Sequence, residues 1–215
     1  MDNQLKQLIG SWIQAIGTVT SAVGSTHALI NREDHRRDLN LWGNVLQGTG
    51  NALVADGIGR FSLDKVGNQT QAVGNTTVVA GILMPFEEET KQRLNINGNW
   101  LQALGGGVSA ADAVDDEASL VTALNIIGNI LQVIGNSLQA IAGTNELKGT
   151  KEQGRNSMAN EQSYQYPLSE KPTQNDSEEL DMIGSWIQAV GSILTAIAQT
   201  RDGGTGSVSQ MAHLN

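Results

Sequence analysis

Ile183-Gly184-Ser185-Trp186-Ile187-Gln188-Ala189-Val190-Gly191 nearly repeats Ile9-Gly10-Ser11-Trp12-Ile13-Gln14-Ala15-Ile16-Gly17. Looser copies fill most of the chain between them. Written from its glycine, the unit reads Gly, Asn or Ser, a variable and often apolar residue, Leu or Ile, Gln, Ala, Ile or Val. The glycines recur at seven-residue intervals: Gly10, Gly17 and Gly24; Gly43, Gly50 and Gly57; Gly67, Gly74 and Gly81. They recur again at Gly98 and Gly105, at Gly128 and Gly135, and at Gly184 and Gly191. A repeat this regular is read as a packing unit before any of its residues is read as a site.

At about 100° per residue, the third, fourth and seventh positions of the unit fall in one apolar stripe roughly 100° wide. In the copy 128–134 these are Ile130, Leu131 and Ile134. Gly and Ala flank the stripe on opposite shoulders, while Gln and Asn or Ser lie on the far side. The pattern predicts amphipathic helices packed through glycine-flanked stripes. A sustained seven-residue period favours left-handed supercoiling. The expected close-packing glycines are Gly10, Gly17, Gly43, Gly50, Gly67, Gly74, Gly98, Gly128, Gly135, Gly184 and Gly191. A β-solenoid is the alternative, because Gly-Asn pairs are hairpin-turn residues. Against it, the apolar residues do not alternate, and Gln, Ala and Leu are good helix formers.

Charge is segregated along the chain. No Asp, Glu, Lys or Arg occurs in 7–31, 41–55, 66–85, 94–111, 118–145 or 182–200. These six tracts predict an all-α fold of about six helices, a bundle or layered array, with the charges at helix ends and joints. Residues 1–145 form a five-helix repeat domain in this reading. Residues 146–176, polar and poor in apolar side chains, form a flexible linker. Residues 177–200 form a sixth helix, packed on the repeat domain or on a neighbour, and 201–215 form a disordered tail. Ser62 is the expected N-cap of the third helix. Gly105-Gly106-Gly107 is expected to break the fourth.

The net charge of −9, without a basic stripe, argues against nucleic acid as a partner. With no cysteine there is no disulfide, thiolate nucleophile or cysteine metal site. The N-terminal residues lack the basic leader and apolar core of a secretory signal. Asn, Gln and Gly interrupt every long apolar run, so no transmembrane helix is expected, with Leu124–Ala142 the nearest approach. The default compartment is cytoplasmic.

The chemistry-bearing residues form no convergent set. His27 and His35 lie near Glu33 and Asp34, and His213 stands alone, but spacing by itself does not assemble a metal site. The acidic runs 87–89 and 115–117 suit the positive ends of helices. Gly105-Gly106-Gly107 is not a phosphate loop, because no Lys-Ser/Thr follows it. No cofactor, metal or catalytic residue is assigned.

Two features point outward from the chain. Trp12, Trp100 and Trp186 share one repeat position, and Trp42 lies close to it. Core packing is the simpler reading of these four, and anchoring an interface is the sharper one. The polar faces carry amides and hydroxyls with almost no charge. Amides offer both donors and acceptors, which suits burial against another amide face.

The Ile-Gly-Asn/Ser-x-Leu/Ile-Gln-Ala-Ile/Val-Gly pattern resembles that of uncharacterised glycine-heptad repetitive proteins of spore-forming Gram-positive bacteria. The resemblance implies no activity. The sequence therefore predicts a non-catalytic structural or interaction protein capable of self-assembly, with itself or another helical protein as partner. The first alternative is a protein bound to a membrane surface. The second is an enzyme with its site at the helix joints, for instance a cleft between His35 and Glu88.

Overall fold

The computed structural model describes residues 2–158 and 174–212. It is all-α: α1 (Asn3–Ser25), α2 (Glu33–Gly57), α3 (Leu63–Leu83), α4 (Glu88–Val114), α5 (Leu120–Met158) and α6 (Gln174–Ala212). Among the described residues there is no strand, so the β-solenoid falls. Local signals set several ends. The Ser62 side chain accepts from the Lys65 N–H and caps α3. Glu88 and Glu89 occupy the first turn of α4, where the helix dipole favours them.

Among the described residues, each helix backbone lies close to only its two neighbours, in the order α1–α2–α3–α4–α5–α6–α1, so the helices close into a ring. Neighbours run antiparallel, and three hairpins dominate: α1/α2, α3/α4 and α5/α6. Within each hairpin the backbones approach so closely that only glycine fits. A Cβ on Gly50 would stand 2.5 Å from the Gly10 carbonyl oxygen, and one on Gly17 2.7 Å from that of Gly43. The same holds for Gly105 against Gly67 (2.5 Å) and Gly98 against Gly74 (2.7 Å). It holds again for Gly191 against Gly128 (2.5 Å) and Gly135 against Gly184 (2.5 Å). Glycine weakens an isolated helix by roughly 0.5–1 kcal/mol relative to Ala. Here that weakness is offset by dispersion contact along the whole seam.

The packing face is the reverse of the expected one. The pattern predicts the apolar stripe as the core, yet among the described residues no Leu, Ile, Phe, Trp or Met is buried. The buried apolar side chains are alanines together with Val54 and Val78. The largest fully buried side chains are Gln132, Asn51, Asn75, Asn136, Thr18, Ser185 and Ser192. The stripes face out on every helix: Ile9, Trp12 and Ile16 on α1, Trp42 on α2, Val73 on α3, Trp100 and Leu104 on α4, Ile127, Ile130, Ile134 and Ile141 on α5, and Ile183, Trp186 and Val190 on α6. The reason is steric. Glycine and alanine permit the shortest interhelical distance, and closing six helices at that distance turns the amide face inward.

Three further expectations change. α4 runs through Gly105-Gly106-Gly107 without a break. Gly105 is held against Gly67 and Gln71, and Gly106 faces Val133 of α5. Two interfaces thus meet where the helix is intrinsically weakest. α5 continues past Gly143 to Met158, and a Lys151–Glu89 ion pair ties its extension to α4. Of the predicted linker 146–176, residues 146–158 and 174–176 are helical, and 159–173 lies outside the described residues. α6 reaches Ala212, so the predicted tail is helical for most of its length.

Candidate functional site: an amide interior with two mouths

One glutamine from each helix reaches the centre of the ring. Gln14 of α1 donates to Gln71 of α3 (3.3 Å) and Gln132 of α5 (2.8 Å). Gln188 of α6 donates to Gln47 of α2 (2.8 Å) and Gln102 of α4 (3.2 Å). The odd-numbered helices thus form one triad and the even-numbered helices a second. Gln14 and Gln188 are the hubs. The second triad extends outward, with Gln139 donating to Gln188 (2.9 Å) and Gln47 to Ser21 (3.1 Å). These residues all occupy the Gln position of the repeat or its nearest equivalent. They converge because that position points away from the apolar stripe.

Hydroxyl groups close the seam between α1 and α6. Thr18 and Ser192 share a short hydrogen bond, and Ser185 donates to Ser25 (3.2 Å). Each repeat tryptophan on this seam keeps its ring outside and turns its N–H in. The Trp12 Nε1 donates to Thr200 and the Trp186 Nε1 to Thr26, both at 3.0 Å. Trp42 and Trp100 also lie exposed. The core-packing reading of the four tryptophans therefore fails, and all of them belong to the outer surface.

Several interior groups have no protein partner. Both amide atoms of Asn51 and of Asn136, the Asn75 Oδ1 and the Gln102 Nε2 are buried without a hydrogen bond. Buried polar groups in native proteins are nearly always paired, with ordered water the usual partner where protein groups are lacking.

Each end of the ring opens into a recess. At the end where α1, α3 and α5 begin, a cavity of about 100 Å³ is lined by all six helices. It runs inward to Gln14, Gln71 and Gln132, and its outer wall carries Asp64, Asp112 and Asp116. The Asp64 carboxylate accepts from Asn68 (2.9 Å), and Asp112 accepts from the Leu63 N–H (3.2 Å). Burial pushes the Asp64 carboxyl above the usual range, and Asp112 and Asp116 push the same way, against hydrogen bonds from Ser109 and Asn68. At the other end a recess of about 380 Å³ is lined by residues of α2, α3, α4 and α5, among them Arg37, Glu88, Lys91 and Glu146.

The histidines do not assemble a site. His27 lies beside Glu178 at 3.3 Å on the surface, and among the described residues no group of three His, Cys, Asp or Glu side chains could hold a metal ion. Glu88 lines the second recess without His35, so the cleft imagined between them does not form. The glutamine triads are not among the expected sites. The regular Gln at the fifth repeat position was their signal, but its meaning depended on which face turned inward.

A family model matches residues 5–196, from the first turns of α1 to the middle of α6. The chain belongs to the DUF6944 family. That family is one of unknown function. The match to DUF6944 spans all three hairpins and both glutamine triads. No curated protein and no solved structure matches the chain.

Proposed function

We propose that the protein is a non-catalytic structural protein that sits in a lipid bilayer with its apolar exterior against the acyl chains. The observation that carries this reading is the reversal of the ring: amides within, Ile, Leu, Val and Trp without. An apolar surface that encircles a protein calls for an apolar surrounding on every side, and a single flat partner covers one side only.

Three features support lipid as that surrounding. The uncharged tracts of α1, α3, α4, α5 and α6 run 18 residues or more, with charges gathered at the two ends of the ring. About 20 residues of helix match a hydrocarbon core of ~30 Å. α5 (within Leu120–Glu152) and α6 (within Asn175–Asp202) are long and apolar enough to cross a membrane. Amides interrupt the apolar run in the linear sequence, but they fall on the inner face, away from lipid. Finally, small-residue seams are the packing mode that holds helices together where lipid removes the hydrophobic drive between them.

Self-assembly is the second reading, and α3 favours it. Its outer face mixes Val73 with Gln69 and Thr76, which suit a protein surface better than lipid.

Tryptophan fluorescence in vesicles of neutral lipid brominated at mid-chain tests the choice, because Trp12, Trp42, Trp100 and Trp186 are the only tryptophans and all face outward. Strong quenching is expected. Unquenched emission from a protein that elutes as a large oligomer would replace lipid with further copies of the chain.

A further inference from the structure

We propose that the interior of the ring is a gated passage for small monovalent cations, with the two glutamine triads as its gate. This rests on the bilayer reading. The two recesses lie at opposite ends of the ring, and the first touches all six helices, which places it on the axis. Among the described residues, the buried side chains between them are amides, hydroxyls and alanines, with Val54 and Val78 the largest apolar ones. A polar axis inside an apolar wall is the arrangement a permeating ion requires.

The unpaired amide atoms are the independent sign of a guest. Asn51 and Asn136 are 1% and 0% exposed, yet each leaves both a donor and an acceptor without a protein partner. Water is the smallest species that answers both. Asp64, Asp112 and Asp116 at the first mouth set the sign of the guest, since carboxylates concentrate cations and repel anions.

The gate is read from the hub geometry. Gln14 holds Gln71 and Gln132, and Gln188 holds Gln47 and Gln102. Each closure depends on one side chain with three rotatable bonds. Rotation of the two hubs frees the axis without moving a helix, and the glycine seams leave the helices little room to move.

The test uses the full chain in neutral-lipid vesicles, with sodium influx followed by an entrapped indicator and chloride efflux measured in parallel. Insertion is read on the same vesicles by brominated-lipid quenching. The native chain is expected to pass sodium slowly. Shortening both hubs, Gln14→Ser with Gln188→Ser, is expected to raise influx by about tenfold or more. Asp64→Asn with Asp112→Asn and Asp116→Asn is expected to reduce the preference for sodium over chloride. If the double hub variant loses its helical circular dichroism, Gln132→Ala opens one triad alone and a smaller rise in flux is expected. Quenched, helical protein that passes no more sodium than empty vesicles, in the native and hub-shortened forms alike, overturns the passage and leaves the bilayer reading standing. Absence of quenching removes both.

Discussion

The inner and outer faces of these helices are built from the same repeat, and they obey opposite rules. Inside, the buried side chains of the described residues are small, hydroxyl or amide apart from Val54 and Val78, and geometry decides what is tolerated. Outside, Ile130, Ile134, Trp186 and Val190 are 38–50% exposed, and the surrounding medium meets them. In a water-soluble bundle the large apolar residues stabilise the core by leaving water. In this ring the closest contacts between helices are instead the glycine seams, and the buried centre is joined by the glutamine network.

The largest effect that sharpens this contrast is at the seams. Gly135→Leu places a side chain where Gly184 O and Gln188 N stand 2.5 and 2.6 Å from a Cβ, while at Gly149 nothing lies within 4 Å. Gly135→Leu is expected to abolish cooperative thermal unfolding, a loss of more than about 4 kcal/mol. Gly149→Ala is expected to be neutral or to raise the midpoint slightly, since alanine favours helix. Equal effects at the two positions would refute close packing as the source of stability.

The next test exchanges the two faces. Gln132→Leu removes the acceptor of the Gln14 bond from the buried centre and is expected to cost about 2 kcal/mol in urea unfolding, despite the added hydrophobicity. Ile134→Gln, on the half-exposed outside, is expected to change ring stability by less than about 0.5 kcal/mol while weakening the transfer of the protein to vesicles. A result in the reverse order would restore the apolar stripe as the core.

Asp64 gives a smaller, pH-dependent effect. Its carboxyl is raised by burial, so the folded chain holds the proton more tightly than the unfolded chain. Stability is then greatest below the ordinary carboxyl range and declines as pH rises through the folded-state value. Asp64→Asn is expected to gain up to about 1 kcal/mol at neutral pH and nothing in acid below that range, read from thermal midpoints in a pH series. The smallest effect is at the rim. Lys151→Ala removes a 2.7 Å ion pair with exposed Glu89, and the unfolding midpoint is expected to stay where it is, because water and salt screen such pairs.

Much of this architecture was legible before folding. The seven-residue period, the uncharged tracts and the Ser62 cap place the helices, and the glycines mark the seams. The persistence of α4 through Gly105-Gly106-Gly107 was not legible, because it depends on Gly67, Gln71 and Val133 arriving from other helices. Nor was the extension of α5, which uses a charge on α4. The glutamine triads were visible as a periodicity and invisible as a site, since residues up to 141 positions apart meet in one of them.

By itself, the sequence of this protein determined that it is helical and that each helix has an apolar face, an amide face and small shoulders. Local backbone preference and the angle between successive side chains are enough for that. Only the tertiary structure decided which face turned inward. An amphipathic pattern separates two faces without saying which meets its neighbours, and here the sign was set by the shortest distance at which six glycine-bearing backbones can close a ring.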